Sequence, residues 1–388
     1  MNRFLRVLSM VLMSSMMLTA SAEGTSVFTD KMIEHSLVSV GNNERFRRAA
    51  EKARAGEEVT LAYLGGSITE GALAQPQRTK CYAYVSCEIF KEKYASNPEN
   101  VRYVNAGISG TPSLLGLTRL EKDILSKSPD IVFVEFAVND STDPKSKIVY
   151  ESLVRRLIAS ETEPAVILIF TMMNSGYNAQ PHMQQVGKHY DLGMISIKNA
   201  ISPEITLGNM TFADYSSDYA HPTTEGHAFI ADMIGYYFDK ATEGDSAPYE
   251  IPQDTVYGND YEALINIEKG DPEILDRGSF LHGVYPCYTY LYGWKRTGGA
   301  NKPMTLKIGA KSMTIAYRQE KNTSCGRLEI VVDGEVVKTI NGYDDGAWGN
   351  IVTDVIDFED SKERTIELRM AQGDESKSFT IYDIAYVK

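Results

Sequence analysis

Four short segments of this chain carry residues that could act together on an ester. Leu64-Gly65-Gly66-Ser67-Ile68-Thr69-Glu70-Gly71 sets a serine in a glycine-rich turn, and Asn105-Ala106-Gly107-Ile108-Ser109-Gly110-Thr111 offers an unobstructed backbone. Val134-Glu135-Phe136-Ala137-Val138-Asn139-Asp140 ends on an amide beside a carboxylate, and Asp218-Tyr219-Ala220-His221-Pro222 spaces a carboxylate and an imidazole three residues apart. Hydrolysis through a serine needs a base to take the hydroxyl proton, an acceptor to orient that base, and donors aimed at the developing oxyanion. In that scheme Ser67 is the nucleophile, His221 the base and Asp218 its orienting partner. The N–H groups of Ser67 and Gly110 and the side-chain amide of Asn139 are the oxyanion donors.

Each residue taken singly has a plainer reading. Ser67 alone is a turn residue or part of a phosphate-binding loop, although GGSITEG lacks the Walker lysine and Thr69 rules out a GxSxG elbow. Gly110 alone is a turn glycine. Asn139 alone caps the structure after a strand, a role for which Asp140 is the better candidate. Asp218 and His221 alone form a helix-start pair with Pro222 as the first helical residue. The conjunction, in this order, favours chemistry. Among other polar residues, His227 reads as a helix residue, and His182, His189 and His282 have no evident partner. Glu70 and Arg78 either border a pocket or carry solvated charge, the latter being the simpler reading. Glu135, inside an apolar strand, is expected to be buried and to need a partner or a raised pKa.

The surrounding pattern supplies elements to hold these segments. Helices are expected over 43–55, 80–95, 113–127, 146–160 and 223–240, and strands over 59–64, 101–105, 130–137, 165–171 and 193–197. Apolar strands alternating with amphipathic helices predict a parallel sheet covered on both faces, with active residues in loops beyond the carboxyl ends of the strands. Residues 23–241 would form this α/β domain. Residues 242–262, rich in Pro, Gly and acidic side chains, read as a linker. From 263 to 388 the segments alternate apolar and polar residues, with Asp333-Gly334 as a hairpin turn, which predicts an all-β sandwich. Tyr285, Tyr288, Tyr290, Tyr292 and Trp294, with Tyr343 and Trp348, make that region aromatic; such rings either stack on sugar faces or, more simply, pair across strands.

With 52 acidic against 39 basic residues and a net charge of −13, the chain has no basic footprint for nucleic acid or an anionic membrane. Arg3 and Arg6, the apolar Val7–Leu18 run and Ala20-Ser21-Ala22 read as a cleavable leader over residues 1–22, which predicts a secreted or periplasmic product. Its apolar run is shorter than the ~20 residues of a spanning helix, so no stable membrane insertion is expected. Of the four cysteines, Cys81 and Cys87 read as sharing a helix too far apart to pair, while Cys287 and Cys325 could meet. No Cys/His spacing suggests a metal.

Over residues 58–240 the four segments resemble the SGNH (GDSL-like) hydrolase family. The resemblance places the family's nucleophile on Ser67, its oxyanion-hole glycine and asparagine on Gly110 and Asn139, and its Asp-x-x-His on Asp218 and His221. The usual GDS of the first block is GGS here, with Gly66 in place of the acidic residue. The resemblance implies a flavodoxin-like sheet and acyl-enzyme chemistry without metal or cofactor. The C-terminal region looks like jelly-roll modules that accompany some carbohydrate esterases. Together these imply a secreted serine esterase taking O-acetyl groups from polysaccharides or oligosaccharides. The alternatives are a lipid or aryl-ester acylhydrolase and a non-catalytic carbohydrate-binding protein.

Overall fold

A computed structural model describes residues 27–388; the expected leader lies outside the described residues. The N-terminal part is built on six strands: β1 (Leu37–Ser39), β2 (Val59–Gly65), β3 (Val101–Gly107), β4 (Ile131–Glu135), β5 (Ala165–Phe170) and β6 (Gly193–Ser196). They lie in the order β1-β6-β5-β4-β2-β3, parallel except for β1, which pairs antiparallel with β6 at one edge. Every residue of β2, β4 and β5 is buried, as expected of strands covered on both faces. Alternation divides them between two cores: Leu61, Tyr63, Ile131, Phe133, Ile167 and Ile169 face one way, and Ala62, Leu64, Val132, Val134, Val166 and Leu168 the other.

Most expected helices form within a few residues of their predicted bounds, as Glu44–Arg54, Tyr82–Tyr94, Pro144–Ile158 and Thr224–Thr242. The helix expected over 113–127 is instead broken into Ser113–Thr118, Leu120–Asp123 and a 3-10 turn at Leu125–Lys127. The break falls at Arg119. Its buried guanidinium donates to Asp123 at 3.1 Å and to the Gly65 carbonyl at 3.2 Å, at the end of the strand that delivers Ser67. Among the elements that went unforeseen are helix Asp30–Ser36, strand β1, and helices Gln180–His189 and Ile197–Leu207, the last with Pro203 inside it.

Between Thr242 and Ile265 the chain has no regular element, yet it is fastened down. Buried Glu151 accepts from the N–H groups of Val256, Tyr257 and Gly258 at 2.6–3.0 Å and from the Tyr190 hydroxyl at 2.8 Å. Arg155 pairs with Glu262 at 2.6 Å.

The remainder comprises β7 (Ile265–Asn266), β8 (Ile274–Asp276), β9 (Leu281–Cys287), β10 (Tyr290–Arg296), β11 (Met304–Gly309), β12 (Ser312–Glu320), β13 (Arg327–Val332), β14 (Glu335–Asn341), β15 (Trp348–Asp357), β16 (Glu363–Met370) and β17 (Phe379–Val387). One sheet runs β15-β12-β17-β10-β9 with β7 on β17, and the other β14-β13-β16-β11-β8, all antiparallel. Leu306, Leu328 and Leu368 of one sheet share a core with Met313, Ile315 and Ile384 of the other, which makes a sandwich. Asp333 and Gly334, at φ +49° and +92°, form the expected two-residue turn.

The first sheet is covered twice. Its outer face lies on the α/β part, where Ala385 and Val387 join Leu117 and Leu120, and Cys287, Tyr290 and Tyr382 join Leu115. This packing decides between the two readings open for the cysteines, buried thiols or a single pair. Cys287 and Cys325 are free: the Cys287 thiol meets the Gly349 carbonyl at 3.3 Å, and that of Cys325 meets Glu320 at 3.4 Å. Cys81 stands at the start of the helix that contains Cys87, and both are also free.

Candidate active site

Strand β2 ends at Gly65, and Ser67 opens a single-turn helix, Ser67–Glu70. A helix's first N–H groups have no intrahelical acceptor, so this turn leaves the Ser67 N–H available beside its own hydroxyl. Asn105 at the end of β3 accepts from the Gly107 N–H at 2.9 Å and donates to the Thr69 carbonyl at 2.8 Å, tying the second segment to the nucleophile's turn. Glu70 adds a second tie by accepting from the Ser109 N–H at 2.9 Å and its hydroxyl at 2.5 Å. Glu70 is therefore a brace for the loop that carries Gly110 rather than solvated charge. Arg78 is exposed, as its plainer reading held.

The fourth segment swings back over this turn. His221 Nε2 lies 2.8 Å from Ser67 Oγ, and Nδ1 lies 2.7 Å from Asp218 Oδ2. With the proton on Nδ1 donated to the carboxylate, Nε2 is left to accept from the serine hydroxyl. Asp218 is itself fixed, since its Oδ1 accepts from the Ala220 and His221 N–H groups at 2.8 and 2.7 Å. Burial pushes its carboxyl upward, but these donors and the imidazole outweigh it and hold the pKa below the usual range. The three-residue spacing thus serves two purposes. It lets one carboxylate orient the ring and close the turn that presents it.

Gly110 takes φ +72°, and a Cβ there would come within 3.0 Å of the Trp348 ring. Asn139 follows β4, with Oδ1 buried and turned toward Gly66. A Cβ at Gly66 would fall 2.3 Å from that oxygen, so the GGS sequence and the position of the Asn139 amide are coupled. Asp140 does not cap the structure that follows the strand, where Asp143 accepts from the Ser146 N–H at 3.1 Å; its Oδ1 instead accepts from the Ser113 N–H at 2.7 Å, at the start of an earlier helix. Burial pushes its pKa up to about 7, against the pull of that contact. Glu135 is fully buried and has the partners it requires, accepting from Thr171 at 2.7 Å and Thr69 at 3.0 Å. Burial still holds its pKa above the ordinary carboxylate value.

His227 is structural. Its Nδ1 accepts from the Tyr82 N–H at 3.2 Å, its Nε2 faces the Ala72 carbonyl at 3.0 Å, and burial lowers its pKa to about 4. The other histidines have the partners their sequence did not reveal: His189 meets the Asp254 carbonyl, His182 packs edge-on against Tyr257, and His282 stacks with Tyr292.

Ser67, Gly110, Asn139 and His221 line one pocket of about 240 Å³, with Ala72, Ser109, Val138, Met173, Tyr219, Ala220 and Trp348 completing its wall. This is below the ~300–1,000 Å³ of sites for drug-sized ligands. Trp348 comes from β15 of the sandwich, and its Nε1 donates to the Tyr288 hydroxyl at 3.1 Å. Its place on the wall had no signal in the sequence beyond its being an aromatic in a glycine-rich loop.

A parallel sheet with a serine, imidazole and carboxylate converging on a small pocket at its strand ends is the framework of an ester hydrolase. Residues 63–229 match the GDSL-like lipase/acylhydrolase family. A two-domain esterase active on acetylated mannans is 30% identical, with a TM-score of 0.80, over 92% of this chain and 98% of that one. The same kind of esterase co-crystallised with mannopentaose is 29% identical, with a TM-score of 0.81 over the same shares. An acetylxylan esterase of Geobacillus stearothermophilus is 25% identical over 197 residues, 44% of this chain and 90% of that one. The chain belongs to the GDSL-like lipase/acylhydrolase family and is a carboxylic ester hydrolase.

Proposed function

We propose that this protein is an exported O-acetylesterase acting on acetylated polysaccharides or their oligosaccharides, with Ser67, His221 and Asp218 as its triad. The contact of 2.8 Å from Ser67 to His221, continued at 2.7 Å to Asp218, is the observation that carries the reading. His221 takes the Ser67 proton as Oγ attacks the acetyl carbonyl. The N–H groups of Ser67 and Gly110 and the Asn139 amide meet the oxyanion. Collapse of the tetrahedral adduct breaks the bond to the sugar oxygen, which leaves with the proton held by His221. A water then gives its proton to His221 and attacks the acetyl-enzyme; collapse breaks the bond to Ser67 Oγ, which takes the proton back from His221, and acetate leaves.

The small pocket favours acetate over long acyl chains, and the similarity to an esterase active on acetylated mannans runs through the sandwich as well as the α/β part. The leader pattern over residues 1–22 supports export. The test is hydrolysis of 4-nitrophenyl acetate, butyrate and octanoate beside Ser67→Ala, with acetate release from acetylated mannan and xylan in parallel. Short-chain preference, polysaccharide deacetylation and loss of both in the variant are expected. Preference for octanoate would move the substrate to lipid esters, and turnover indifferent to Ser67→Ala would overturn the mechanism.

A further inference from the structure

A larger depression, of about 620 Å³, lies between the sandwich and the α/β part and shares no lining residue with the pocket around Ser67. Gly110 borders the catalytic pocket just before helix Ser113–Thr118, and Thr118 borders this groove at the helix's other end. Six helical residues at 1.5 Å each put the two sites on the order of 10 Å apart.

Strand β10 contributes Tyr290, Tyr292 and Trp294 to the lining of the groove. The three rings are not equivalent. Trp294 is 5% exposed and braces His282 edge-on at 5.3 Å, while Tyr290, also 5% exposed, lies under the Lys122 ammonium at 5.0 Å. Tyr292 is 54% exposed: His282 stacks on its ring at 5.8 Å and 11°, leaving the rest of the ring to solvent. It is a half-exposed aromatic platform of the kind on which the apolar face of a pyranose ring rests. Hydrogen-bonding groups line the same groove. Asp383 is buried in the groove and accepts from Asn266 at 2.7 Å, and Arg156 has a buried Nη1 without a partner. Arg119, Lys122 and Arg156 are matched by Glu121, Glu268 and Asp383, so the lining has no net field for a polyanion and suits a neutral, hydroxyl-rich ligand.

The two sites are also joined mechanically. The β9–β10 hairpin presents Tyr292 from its stem, while Tyr288 in its turn holds Trp348 at the catalytic pocket. We propose that the groove is a second saccharide site, with Tyr292 as its stacking platform, which takes an unacetylated stretch of a β-1,4-linked pyranose chain. This rests on the polysaccharide esterase reading above.

The test is calorimetric titration of full-length Ser67→Ala protein with unacetylated mannohexaose and xylohexaose, in the Tyr292→Ala, His282→Ala and Trp348→Ala backgrounds. Thermal unfolding and circular dichroism report folding. Tyr292 is exposed, and Tyr292→Phe keeps the platform should truncation disturb the sheet. Tyr292→Ala is expected to weaken binding of one hexaose at least tenfold and Tyr292→Phe to retain it. With Ser67 restored, Tyr292→Ala should raise KM on the acetylated polymer while kcat holds. Binding of neither hexaose, or binding removed by Trp348→Ala but indifferent to Tyr292→Ala and His282→Ala, would overturn the groove proposal. Failure of the polysaccharide reading has a different signature: 4-nitrophenyl acetate is cleaved, yet no acetate leaves any polysaccharide.

Discussion

Replacing Asp218 by Asn leaves the size and shape of the side chain but reverses one of its ends. Oδ1 accepts two backbone N–H groups at 2.7–2.8 Å, whereas Oδ2 accepts one ring proton at 2.7 Å. An amide has a single acceptor oxygen, and the arrangement that keeps most contacts leaves that oxygen on the two backbone donors. Its NH2 then faces Nδ1 of His221, which accepts only if the ring proton moves to Nε2. Nε2 is the atom that must take the Ser67 proton. Enforcing the wrong tautomer in a triad costs up to about 10⁴ in kcat, or ~5.4 kcal/mol at 1.36 kcal/mol per tenfold. The Asp218 side chain is 34% exposed, so water partly relieves the constraint, and a loss between about 10² and 10⁴ is expected. Asp218→Ala, which imposes no tautomer, should be no worse than Asp218→Asn. The assay is kcat for 4-nitrophenyl acetate on both folded variants. If Asn retained more than a tenth of the parent rate, or clearly outperformed Ala, the orienting role would have to be abandoned.

Gly66→Asp, which restores the usual GDS, sets a Cβ against the Asn139 amide; kcat should fall about 10- to 100-fold while KM for a small ester stays near its parent value. Steady-state kinetics decide, and an unchanged kcat would show that Asn139 can move without loss. Glu151→Gln leaves one acceptor oxygen for three backbone donors, so stability should fall by about 2–4 kcal/mol in urea titration, against under 0.5 if the strap at 256–258 is loosely held. For Asp140, whose folded pKa is raised to about 7, the folded state holds a proton that the unfolded state gives up near pH 4. Its contribution is present below that and is lost as pH rises through the folded pKa, so stability should decline from about pH 4 to 7. Asp140→Asn should flatten that slope, and an identical slope in the variant would assign it elsewhere.

The residues around Ser67 were legible because chemistry restricts them to few types and the sheet restricts them to strand ends. The parallel core was legible for a related reason: strands such as Ala165–Phe170, buried on both faces, are apolar throughout. What stayed hidden depends on partners distant in sequence. The break at Arg119 exists because its guanidinium reaches the Gly65 carbonyl, and nothing within residues 113–127 announces that contact. β1 is three residues long and Ile197–Leu207 contains Pro203, so neither shows a clear period. Cys287 and Cys325 looked available to each other only because strand positions do not state which neighbour a thiol will face. Trp348 joins the wall of the pocket through docking of the sandwich, a contact made across more than two hundred residues of chain.

That docking bears on how the protein can be divided. Leu115, Leu117 and Leu120 have no exposed surface, and they share their apolar clusters with Ala385 and Val387 and with Tyr290 and Tyr382 of the first sandwich sheet. Cutting the chain at the strap would open a greasy scar on both fragments and take one wall from the reaction pocket. The sandwich is thus a poor candidate for transplantation onto another enzyme as a passive targeting tag. The hydrolase sheet, expressed without it, should aggregate rather than persist as a smaller, less choosy esterase.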